Sequence, residues 1–239
     1  MRGVLLFVSL LALALALPVP SARADGAPAS PHCPDGATSC PDGGHGRWVV
    51  AVTQTLGAAE VRLLEPGAPG WPAQGRALHA SDPALALTAR LCTDGRGGVW
   101  VAWTEIDYVG TTTEVMAVHV TAGGRQLSGG RPVTLATFMD LFDAVALLPD
   151  GSGGVYVAWR EGDANHEREV KLERLAADGA TAPGWPAGGL ALDEARGALR
   201  PRLVTDGEGG AIVVADADPN RPEGAPFAVR VSPAAVAMR

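Results

Sequence analysis

Three stretches of the chain are apolar at consecutive positions rather than at alternate ones. They are Val99-Trp100-Val101-Ala102-Trp103, Val155-Tyr156-Val157-Ala158-Trp159 and Ala211-Ile212-Val213-Val214-Ala215. Each is far too short to cross a bilayer, and each is rich in β-branched and aromatic residues. That combination predicts a strand covered on both faces, as in stacked sheets. The same polar punctuation precedes all three: Asp-Gly-x-Gly-Gly beginning at Asp94, Asp150 and Asp206, at a constant spacing of 56 residues. A degenerate copy, Asp42-Gly43-Gly44-His45-Gly46, precedes Trp48-Val49-Val50-Ala51. Aspartate bonds its own backbone and glycine accepts positive φ, so the motif is a turn. A strand follows it, whereas a phosphate-cradling glycine loop needs a helix N-terminus at that place.

The rest of each period is also patterned. A second strand ends on a base and an aliphatic: Arg62-Leu63, His119-Val120, Arg174-Leu175 and Arg230-Val231. Ala68-Pro69-Gly70-Trp71-Pro72-Ala73 then recurs 114 residues later as Ala182-Pro183-Gly184-Trp185-Pro186-Ala187, with Leu127 in the Trp place between. A third strand falls near Ala77-Leu78, Pro132-Val133 and Ala191-Leu192. A fourth holds Leu91, Leu147 and Leu203 and leads into the next turn. A unit of about four short strands is the content of one propeller blade. The expected fold is therefore all-β: a β-propeller-like array of four repeats of about 56 residues, closed or nearly closed. The first copy lacks a strand four ahead of its turn and the last stops after two, so the motifs account for 14 strands. Residues 25–41 or 233–239 would have to cover the edges.

The series D-G-x-G-G-x-x-V-A-W, R-L-x-x-x-G and W-P-x-x-G resembles the tandem repeats of exported bacterial β-propeller-type proteins. The resemblance spans residues 42–232. It implies a propeller-like scaffold and is silent about ligand. The Asp-box of sialidase-like propellers is absent.

The ends of the chain add a compartment. Arg2, an apolar run over residues 4–17, helix-breaking Pro18 and Pro20, and Ala22-Arg23-Ala24 read as a signal peptide over residues 1–24. The mature protein is then secreted or periplasmic, with no membrane insertion after cleavage. Residues 25–41 form an irregular Cys/Pro/Gly-rich lead-in, 42–232 the repeat domain and 233–239 a tail. In an oxidising compartment Cys33 and Cys40, bracketing a turn, are expected to form a local disulfide. The alternative is a metal site with His32 and His45, at a spacing unlike the usual zinc patterns. Cys92 lies in an expected strand and reads as a small buried apolar residue. Loss of Arg2 and Arg23 takes the formal net charge from −7 to −9, which argues against nucleic acid or an anionic membrane surface as partner.

Candidate chemistry is sparse. The five histidines sit in no catalytic motif. Asp216-Ala217-Asp218 begins like a calcium loop, but Arg221 stands where such loops need Gly, and no closing Glu follows. No cofactor motif is present. Glu105 and Glu161 are the acids a glycosidase would use, yet both recur with the scaffold. The repeated bases read as cross-strand ion pairs or solvated edge charges. The loops at the far end of strand one differ between copies and offer Asp107, Tyr108, Asp163, Asn165, His166, Asp218 and Asn220. Variable loops on a rigid scaffold are a common seat of binding. The chain reads as a non-enzymatic binding or structural module for a protein or glycan. A secreted hydrolase and a remnant of a longer repeat protein are the alternatives.

Overall fold

The computed structural model describes residues 38–42, 46–55, 58–65, 70–81, 85–107, 112–139, 145–162, 168–192, 199–216 and 226–238. They form four antiparallel sheets of four strands each, every one a simple meander. Sheet one comprises β1 (Ser39–Pro41), β2 (Arg47–Thr55), β3 (Ala58–Leu64) and β4 (Arg76–Ser81). Sheet two comprises β5 (Leu85–Thr93), β6 (Val99–Asp107), β7 (Thr112–Val120) and β8 (Val133–Phe138). Sheet three comprises β9 (Val145–Pro149), β10 (Val155–Gly162), β11 (Arg168–Leu175) and β12 (Leu190–Leu192). Sheet four comprises β13 (Leu199–Thr205), β14 (Ala211–Asp216), β15 (Phe227–Val231) and β16 (Ala237–Met238).

The four-strand unit holds, and its phase is now visible. The strand carrying Leu91, Leu147 or Leu203 opens a sheet instead of closing the previous one, because the Asp-Gly turn joins it as a hairpin to the strand that follows. Among the described residues the strands number 16 rather than 14. The two extra strands are Ser39–Pro41, from the segment read as a lead-in, and Ala237–Met238, from the segment read as a tail. Each completes its own sheet at one end of the chain.

The sheets stack through three buried clusters. Trp48, Val50 and Leu63 of sheet one meet Leu91, Val99, Val101 and Trp103 of sheet two. Trp100, Ala102 and Ala117 of sheet two meet Leu147, Val155, Val157 and Trp159 of sheet three. Tyr156, Ala158 and Leu172 of sheet three meet Leu203, Ala211, Val213 and Ala215 of sheet four. Successive residues of a strand point to opposite faces, so odd positions of β6 and β10 face the preceding sheet and even ones the next. This is why those strands are apolar at every position, and they are buried almost throughout. Each large side chain so covered contributes about 1.5–3 kcal/mol. In β14 burial alternates instead, with Ile212 and Val214 only partly covered. Among the described residues no buried cluster joins sheet four to sheet one, so the expected ring closure has no counterpart there.

Candidate functional site

The two ends of the stack differ in kind. At one end lie the Asp-Gly turns. Asp94 Oδ1 accepts the backbone N–H groups of Arg96 (2.7 Å) and Gly98 (2.8 Å). Asp150 does the same for Ser152 and Gly154, and Asp206 for Glu208 and Gly210. The second carboxylate oxygen takes the base from strand three of the same sheet: His119 Nε2 at 2.9 Å, Arg174 Nη2 at 2.8 Å and Arg230 Nε at 2.9 Å. The recurring bases are thus cross-strand partners of the turn aspartates. Burial raises the Asp94 and Asp150 carboxyls, but these hydrogen bonds outweigh it and leave both below the ordinary aspartate value.

The same residues fasten one sheet to the next. His119 Nδ1 lies 2.6 Å from the Ala177 carbonyl, and Arg174 Nη1 donates to the Pro233 carbonyl at 3.3 Å. Trp100 Nε1 donates to the Gly153 carbonyl at 3.1 Å, and the Tyr156 hydroxyl to the Gly209 carbonyl at 2.7 Å. His119 also stacks on Trp100, with ring centroids 4.5 Å apart. These turn-to-turn contacts bring the turns of sheets two, three and four to one end of the stack, around a cavity of about 320 Å³ lined by Asp94, Arg96 and Asp150 with their glycines.

Sheet one departs from this scheme and corrects one reading of the sequence. The Val49–Leu64 pairing places Glu65, not Arg62, opposite Trp48, where the other sheets have a base. Arg62 instead bonds Glu60 at 2.7 Å and the Gln74 and Gly75 carbonyls. Burial, then the nearby Asp42 charge, raises the Glu65 carboxyl above its ordinary value. Arg76 supplies the missing bridge: its guanidinium lies over Trp71 at 4.5 Å and donates to the Gly124 carbonyl of sheet two at 3.1 Å.

At the opposite end of the stack, strand two of each sheet ends and strand three begins. Asp107 ends β6, half-buried and paired with Thr112. Tyr108, Asp163, Asn165, His166, Asp218 and Asn220 lie outside the described residues, as do residues 1–37 with the expected export signal and Cys33. Cys40 is fully buried, and Cys92 is buried and forms no disulfide. Asp216, the first acid of the calcium-like run, pairs with Arg202 at 3.0 Å. Among the described residues no group of three metal-ligating side chains converges, and no helix is long and apolar enough to cross a membrane.

Just below this end sit the two scaffold acids. Glu105 Oε2 lies 3.2 Å from His79 Nε2 and accepts from Trp103 Nε1 at 3.4 Å. The Glu105 hydrogen bond holds His79 above its ordinary value, while on Glu105 burial is outweighed by its donors and the carboxyl stays low. Glu161 accepts from Trp159 Nε1 at 3.1 Å and lies 3.3 Å from Lys171 Nζ. The two acids are held by different bases on different sheets. The His79–Glu105 contact escaped sequence reasoning because it crosses between sheets and belongs to no repeated pair.

No family model matches the chain, and no curated protein does. Among solved structures the chain is similar to the endo-arabinase from Bacteroides thetaiotaomicron VPI-5482, at 13% identity and a TM-score of 0.43, over 79% of this chain and 72% of that one. At that level the likeness says nothing about activity.

Proposed function

We propose that the protein is an exported binding module that recognises a protein or glycan through the segments that vary between its repeats, residues 54–59, 106–113, 162–168 and 216–225. The observation that carries this reading is the turn-to-turn fastening. Trp100, Tyr156, His119 and Arg174 fasten each sheet to the next at the turn end, which supports a rigid scaffold on which the loops that vary between repeats can serve recognition. A rigid base with variable loops above it is a binding architecture. The acids a hydrolase would use are engaged: Glu105 by His79 and Trp103, Glu161 by Lys171 and Trp159. The full chain, purified after export, is to be applied to a glycan array and assayed for release of reducing ends from the glycans it binds. Binding without turnover is expected. Turnover that disappears in a Glu105→Gln/Glu161→Gln double variant would overturn the reading in favour of a glycoside hydrolase.

A further inference from the structure

The outermost faces of the stack carry the surfaces that interior sheets bury against each other. Val99, Val101 and Trp103 of β6 are fully buried against sheet one, Val155, Val157 and Trp159 of β10 against sheet two, and Ala211, Val213 and Ala215 of β14 against sheet three. Counted from the turn aspartate, the same positions in sheet one are Arg47, Val49 and Ala51, which are exposed or only half-buried. The reverse holds at the other end. Trp100 and Tyr156 reach forward into the next sheet, while their counterpart Ile212 is half-buried beside Val214, with Val204 50% exposed on the neighbouring strand. Arg230 stands where Arg174 bridges to the next sheet, 37% exposed beside Asp206 and Glu208. The outer face of sheet four is therefore the forward half of a sheet–sheet contact, and the outer face of sheet one is the backward half.

Surfaces that are complementary to each other, and not to themselves, join head to tail. We propose that the outer face of sheet four docks on the outer face of sheet one in a second copy of this chain. Two copies joined twice in this way close a ring of eight sheets, within the four to eight blades that propellers use. The occupant is a second copy because the interior of the stack already shows three instances of this forward-on-backward contact, and no buried cluster joins the chain's own sheets one and four among the described residues. The ring would cover Val204, Ile212 and Val214 with Val49 and Ala51.

Light scattering during size-exclusion chromatography tests this on the full exported chain. The expected mass is twice that of one chain. Ile212→Arg and Val49→Arg should each give a folded monomer by circular dichroism, and an equimolar mixture of the two should recover a dimer through the one undamaged interface. Val204→Glu, at an exposed position, should repeat the effect of Ile212→Arg if that variant fails to fold. A wild-type monomer at every concentration, or a dimer that survives Val49→Arg while Ile212→Arg or Val204→Glu breaks it, would overturn the proposal. The first result means self-closure, the second a symmetric contact.

Discussion

The Tyr156 hydroxyl donates to the Gly209 carbonyl at 2.7 Å, across the boundary between sheets three and four. Gly209 belongs to the next Asp-Gly turn, so an aromatic in one strand positions the turn of the following sheet. Tyr156→Phe keeps the ring and removes the donor, leaving a carbonyl without its partner. The expected loss is about 1–1.5 kcal/mol in urea denaturation. An unchanged midpoint would mean that water replaces the hydroxyl there.

Acid should loosen the turns. Asp94 and Asp150 have folded values below the ordinary 3.8. A lowered folded value stabilises the protein fully above the unfolded value, and that contribution is lost as pH falls through the folded value. Stability is thus expected to hold from neutral pH down to about pH 4 and to fall below it. Asp150→Asn should flatten that fall, as a series of melting curves against pH would show.

Glu173 works in the opposite direction. It is fully buried in β11, its Oε1 accepts from Thr181 at 2.6 Å, and its Oε2 has no partner. Burial raises its carboxyl above the ordinary 4.5. Stability tied to its protonated form is present below the unfolded value and lost as pH rises through the higher folded one. Val118 and Val229 stand at the same place in sheets two and four. Glu173→Gln should therefore stabilise the protein by about 1 kcal/mol at pH 8, and the gain should vanish below pH 4.

The glycines of the turn are unequal. At Gly98 an added Cβ would stand 2.6 Å from the Val120 carbonyl, whereas at Gly95, with φ +74°, it would meet nothing within 4 Å. Gly98→Ala forces backbone apart and should cost about 3 kcal/mol. Gly95→Ala carries only the strain of a left-handed residue, about 1 kcal/mol. Equal losses in thermal denaturation would show that the close approach at Gly98 does not matter.

The repeat period, the apolar strand cores and the four-strand unit were legible because each rests on a local pattern repeated three or four times. Ser39–Pro41 and Ala237–Met238 were not, since a strand of two or three residues leaves no periodicity. Arg62 was misplaced for a related reason: a basic residue three positions early mimics the motif, and only the pairing register shows Glu65 in its place. The loop end was legible as variation alone. The His79–Glu105 contact was not legible, because it joins two sheets and no spacing along one chain encodes that.

Binding by the full chain to the glycan or protein it recognises, compared across two variants, tests the division of labour most directly. One variant replaces residues 108–111 and 163–167 with Gly-Ser linkers; the other is Asp150→Asn. The loop variant should lose binding with its melting temperature unchanged, and Asp150→Asn should keep binding with a lowered melting temperature. Binding that survives loop replacement and is lost in Asp150→Asn would place recognition at the turn end and contradict the account.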